Sequence, residues 1–209
     1  MIPMATAEEK PPAGTNPLAV AKEDFRAENF ERALVALDQL EKTAGPTGES
    51  MDLRGCIYME QKRFEEAQKS FAASRAADPG VGLPRLHMGD LFLRQKKWTE
   101  AREVYEEAIR DTRIQMTNER LRYAVLLAYL GAQDLTGAKK ALDRIIFPTE
   151  TATYYYAQAA WAFAHGKKRE GNKWLATAGQ IFEEKQTDWC ARPLYESGWI
   201  RKKPSPVAE

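Results

Sequence analysis

RFEEAQKSFAASRAADP, residues 63–79, and KWTEAREVYEEAIRDT, residues 97–112, superimpose with an aromatic, an acid, an alanine, a second aromatic and a small residue in register. These are Phe64, Glu66, Ala67, Phe71 and Ser74 in one stretch. In the other they are Trp98, Glu100, Ala101, Tyr105 and Ala108. The aromatic and small members recur at i, i+3, i+7 and i+10, which is one stripe of an α-helix. NFERALVALDQLEKTAG, residues 29–45, aligns its aromatic, charge and alanine on the same frame. The anchors Ala33, Ala67 and Ala101 are spaced by 34 and 34 residues, and weaker copies anchored at Ala138 and Gly171 follow at 37 and 33. So regular a period predicts an array of helical units, each burying its apolar face on its neighbours.

Each unit divides into two helices. The first carries a small residue three positions before an aromatic, as in Gly55 and Tyr58 or Gly89 and Phe92. Polar turns follow at Gln61-Lys62-Arg63 and Gln95-Lys96-Lys97, and Asp78-Pro79-Gly80 stops the second unit. Antiparallel helices joined by a short turn approach closely. Gly55, Gly89, Ala67 and Ala101 leave room on one helix, and Tyr58, Phe92, Phe71 and Tyr105 fill it from the other. A large residue at a small site would overpack the contact by about 1–3 kcal/mol.

The residues Met51, Gly55, Tyr58, Ala67, Phe71, Ser74 and Pro79, followed by Gly89, Phe92, Ala101, Tyr105 and Ala108, resemble the tetratricopeptide-repeat pattern. The resemblance runs over about residues 17–182. It departs from the pattern at Ala21 and Asp24 in the first copy and at Gly171 in the fifth. In the fourth copy Ala124 and Leu126 compete for the small site. It implies an all-α solenoid of about five antiparallel helix pairs, wound into a right-handed superhelix with a concave inner face.

The expected organisation is a flexible lead-in over residues 1–16, one helical repeat domain over 17–200 and a disordered tail over 201–209. Ala5-Thr6-Ala7 has the form of a signal-peptidase site without a full signal peptide before it, so residues 1–7 read as a signal-peptide remnant or a chance match. Periplasmic or secreted placement is favoured over cytoplasmic. Trp189, Leu194, Tyr195, Trp199 and Ile200 are too apolar for a free tail. Residues 188–200 are expected to cap the open end of the array, or to dock on a second copy and make a homo-oligomer.

Composition narrows the chemistry. The 31 basic and 30 acidic residues leave a formal charge of +1, which provides no field for nucleic acid. No apolar run is long enough to span a membrane. Two cysteines, Cys56 and Cys190, and two histidines, His87 and His165, show no metal-ligand spacing, so no metal and no cofactor are expected. Phosphate-cradling, zinc-protease and nucleophile-elbow motifs are missing, and Glu65-Glu66 and Glu106-Glu107 read as solvated helix surface. No enzymatic role is expected. Acids at the starts of second helices (Glu31, Glu65, Glu66, Glu100, Glu170) and bases at the ends of first helices (Lys62, Arg63, Lys96, Lys97, Lys167, Lys168) complement the helix dipoles.

The resemblance implies that the first helices line the concave face and hold a protein or peptide partner. Mapped residue by residue, the candidate groove comprises Lys22, Phe25 and Arg26, then Asp52, Cys56, Met59 and Glu60, then Leu86, Asp90, Leu93 and Arg94. Tyr123, Leu127 and Leu130 continue it, then Tyr156, Ala160 and Phe163. No asparagine stands at these positions and acids stand at Asp52 and Asp90, which departs from the carboxylate clamp of some family members. The groove is mixed in charge at its N-terminal half and apolar and aromatic at its C-terminal half, which suits an extended or helical segment with apolar anchors. Each aromatic there reads either as groove wall or as packing between repeats. A protein-interaction scaffold or adaptor is the expected function, with self-assembly through the C-terminal segment as the alternative and an RNA or anionic-surface binder as a third reading.

Overall fold

The computed structural model describes residues 16–80, 82–111 and 115–204, and the side chains of residues 115–117 are not among those described. The described residues form helices α1 (Pro17–Arg26), α2 (Phe30–Ala44), α3 (Gly48–Glu60), α4 (Phe64–Ala77), α5 (Leu83–Arg94) and α6 (Trp98–Asp111). Helices α7 (Gln115–Gly131), α8 (Leu135–Leu142), α9 (Thr153–Ala164), α10 (Lys168–Ile181) and α11 (Glu184–Glu196) complete them. No strand occurs among the described residues. The first ten helices are five antiparallel pairs of an α-solenoid. The expected signal-like stretch 1–7, most of the lead-in and residues 205–209 of the tail lie outside the described residues.

One turn is made five times. Glu28, Lys62, Lys96, Gln133 and Gly166 each take a positive φ between 59° and 71° one residue before the second helix's cap. In each turn the next residue's N–H reaches back across the helix end, as in Arg63 to the Tyr58 carbonyl (2.8 Å) and Lys97 to the Phe92 carbonyl (2.9 Å). This satisfies carbonyls that the helix end would leave orphaned. Counted from these left-handed residues, the small site of the fourth pair is Leu126, not Ala124. Leu126 is fully buried.

The small sites are close approaches in fact. A Cβ on Gly55 would stand 2.4 Å from Phe71, and one on Gly89 would stand 2.3 Å from Tyr105. The anchors Ala33, Ala67, Ala101 and Ala138 are completely buried. Two cores result. One spans the first two pairs around Phe25, Leu37, Ile57 and Phe71, and the other runs from Leu86 to Leu194. The segment after the short α8 is tied back by Thr149 and Thr151, whose hydroxyls donate to the buried Glu119 carboxylate at 2.6 Å each.

The C-terminal helix begins at Glu184, four residues before the expected start of the cap. A reciprocal cap starts it: Glu183 N–H donates to the Gln186 side chain at 2.9 Å. Gly198 ends it with φ 74°, and Trp199 N–H returns to the Leu194 carbonyl at 2.9 Å. Residues 201–204, expected as the start of a free tail, are also held. Pro204 is buried and Lys203 pairs with Glu28 in the first turn of the array at 2.6 Å.

Candidate functional site

The first helix of each pair presents one face to the inside of the array, and α11 lies across that face. Its contact with α7 is aromatic, and just past its end an aromatic meets α9. Tyr123 donates its hydroxyl hydrogen to the Cys190 carbonyl at 3.0 Å and meets the Trp189 ring edge-on at 6.4 Å between centroids. The Arg120 guanidinium lies over the same indole, 5.2 Å from the Trp189 centroid. Phe163 of α9 stacks on Trp199 at 6.0 Å.

Toward α3 and α5 the contacts become ionic. Arg94 reaches Glu60 at 2.8 Å and Glu196 at 3.1 Å, and Arg192 reaches the same Glu60 at 3.0 Å. Two acids and two bases thus form one cluster in which one acid and one base come from α11. Burial pushes the Glu196 carboxyl up, against the pull of Arg94 and Arg192. Arg192 also donates to the Pro204 carbonyl at 2.9 Å, which fixes the returning chain beside the helix.

The predicted groove residues divide accordingly. Tyr123, Leu127, Leu130, Tyr156, Ala160 and Phe163 are all buried, and Tyr123 and Phe163 touch the C-terminal segment directly. Leu86 and Met59 are buried and Leu93 half-buried. Glu60 and Arg94 carry the ionic cluster. Asp90 accepts from the Tyr105 hydroxyl at 2.5 Å and lies 3.7 Å from Arg120. Phe25 is buried against Phe30, Arg26 is exposed, and Lys22 pairs with Glu49 at 2.7 Å.

Two of the basic residues at the turns are engaged by neighbouring side chains. Arg63 pairs with Glu66 at 2.9 Å and covers Tyr58, and Lys167 pairs with Glu170 at 3.5 Å.

A second constellation has no counterpart in the sequence reading. Asp52 and Cys56 on α3 meet His87 on α5. The carboxylate oxygens stand 2.9 and 3.0 Å from His87 Nδ1, and Cys56 Sγ stands 3.5 Å from the same nitrogen. Cys56 and His87 are buried. Burial weighs against charge on His87, but Cys56 and Asp52 offset it and hold its pKa well above the usual histidine range. Burial pushes the Cys56 thiol up. Both partners address one ring nitrogen, and His87 Nε2 is buried without a partner among the described residues. The ring cannot relay a proton from thiol to carboxylate through opposite nitrogens, which is the geometry an activated cysteine nucleophile needs.

Sequence spacing hid this group because its members are 31 and 35 residues apart. A period of 34 is itself the signal: it places positions one repeat apart on facing first helices.

A family model described as a tetratricopeptide repeat matches residues 53–115. Among solved structures, pilF of Pseudomonas aeruginosa is similar over 88% of this chain and 85% of its own, with 13% identity and a TM-score of 0.63. PilW, described as a widely conserved type IV pilus biogenesis factor, is similar over 88% of this chain and 86% of its own, with 14% identity and a TM-score of 0.65. A thermophilic TPR protein of Thermus thermophilus is similar over 91% of this chain and 99% of its own, with 16% identity and a TM-score of 0.66. These likenesses establish the fold. No curated protein matches the chain.

Proposed function

We propose that this chain, a tetratricopeptide-repeat protein, holds a helical segment of another protein on the concave face of its first helices, where its own α11 rests in the free state. Proteins of this family generally act as protein-interaction scaffolds. The observation that carries the finer reading is the seat of α11: an amphipathic helix already fits the groove, anchored by aromatics at Tyr123 and Phe163 and by charge at Glu60 and Arg94. Helix-in-groove recognition uses the same combination of apolar anchors and a charged edge. The reading assigns the chain no catalytic step.

A labelled peptide of residues 184–200 tests it directly. Titrated with a chain ending at Phe182, it is expected to bind saturably, and the Tyr123→Ala, Phe163→Ala double variant is expected to abolish that binding. A folded truncated chain that ignores the peptide would sink the reading.

Exchange of α11 between two copies is the second reading. It draws on the two-residue link, Phe182 and Glu183, between α10 and α11, since short links favour swapping over folding back. Light scattering distinguishes them: a monomer at high concentration removes exchange.

A further inference from the structure

We propose that Asp52, Cys56 and His87 form a binding site for one borderline divalent metal ion of the Zn2+ type, bridging the second and third helix pairs. The site does not depend on the groove reading. Its residues stand one to two turns before Glu60 and Arg94 on α3 and α5, away from the helix ends that meet α11.

The ligand set has the right chemistry. A thiolate, an imidazole nitrogen and a carboxylate oxygen are the donors that select zinc and its neighbours over magnesium or calcium. The spacing fits as well. Zinc bonds of about 2.3 Å to sulfur and about 2.0–2.1 Å to nitrogen, opened at the tetrahedral angle, set those two atoms about 3.5 Å apart. Cys56 Sγ and His87 Nδ1 are 3.5 Å apart. The same geometry sets a carboxylate oxygen about 3.3–3.4 Å from the nitrogen. The observed 2.9 and 3.0 Å require Asp52 to withdraw by only a few tenths of an ångström. Room for that exists, because Asp52 and Cys56 line a cleft of about 520 Å³ with Leu53, Ser74, Leu83 and Pro84. All three donor atoms lie within 4.8 Å of one another, and an ion would draw Cys56 Sγ and the Asp52 oxygen to about 3.5–3.7 Å.

The cleft also supplies an entry path and a place for a water as fourth ligand, as sites with three protein ligands require. The His87 ring is already oriented: it packs on Phe71 at 5.7 Å between centroids. On binding, the ion replaces the hydrogen at Nδ1 and the thiol hydrogen of Cys56, and both leave as protons to solvent.

Cobalt substitution of the full chain tests the site. One Co2+ per chain is expected, with a thiolate-to-cobalt charge-transfer band in the near ultraviolet and strong visible bands of a four-coordinate ion. Cys56→Ser is expected to remove the charge-transfer band, and His87→Gln to weaken Zn2+ binding about 100-fold or more. His165→Gln, at the exposed histidine, is expected to change neither, and so is Cys190→Ser. Zn2+ at about a hundredfold above its Kd is expected to raise Tm by about 5 °C or more. A folded chain with no charge-transfer band, or a band that survives Cys56→Ser, overturns the proposal. Either result leaves the three residues as a hydrogen-bonded cluster only.

Discussion

The second and third helix pairs and the fourth and fifth solve one packing problem in opposite senses. In the former the glycine is on the first helix and the aromatic on the second: Gly55 against Phe71, Gly89 against Tyr105. In the latter the glycine is on the second helix and the aromatic on the first. A Cβ on Gly137 would stand 2.3 Å from Tyr129, and one on Gly171 would stand 2.5 Å from Phe163. What recurs is the pairing of small with aromatic, not its direction. The reversal has a consequence. Phe71 and Tyr105 are borne on second helices, away from α11, whereas Phe163, borne on an inner helix, also stacks on Trp199 just past the end of α11. In the C-terminal half of the array, inner-helix aromatics, Tyr123 and Phe163, meet the C-terminal segment.

Tyr105→Ala removes a fully buried ring and its bond to Asp90, and is expected to cost about 3–5 kcal/mol in urea unfolding. Arg192→Ala is expected to come next, loosening α11 by about 2–3 kcal/mol because Glu60 and Glu196 lose a partner in the cluster. Amide exchange should show that loss in α11 and leave α4 and α6 protected. Gly89→Ala follows at about 1–3 kcal/mol, since Tyr105 is pinned by its hydroxyl and cannot yield. Gly171→Ala is the smallest, within about 1 kcal/mol in total, because alanine gains helix propensity while Phe163 shifts toward the groove. Its signature should be altered Trp199 fluorescence. Equal unfolding costs for Gly89→Ala and Gly171→Ala would erase the distinction between the two halves.

Much of the array is legible in the amino-acid order, and the reason is local. The 34-residue period follows from the anchors Ala33, Ala67 and Ala101, and the polar turns lie where the left-handed residues are. Lys62 and Lys96 at positive φ are less legible, because the helix-closing bonds across the turn outweigh a conformational preference worth only about 1–2 kcal/mol. The register of the fourth pair is undecidable from composition, since Ala124 and Leu126 are both apolar. Only the turn at Gln133 orders them. The groove map is legible as a set of positions but not as a state. Tyr123 reads the same whether water, a partner or α11 covers it.

The sequence by itself determined the unit: two helices, a short turn, a small residue facing a large one, and the repetition that stacks five such units. Those features depend on residues within about one repeat of each other, where spacing and side-chain size suffice. Only the tertiary structure decided where the last helix goes and which distant side chains meet. Arg192 finds Glu60 across 132 residues, and Cys56 and Asp52 find His87 one repeat away. Such contacts come from the angle at which successive pairs stack, and that angle is a sum of small packing adjustments that no single residue encodes.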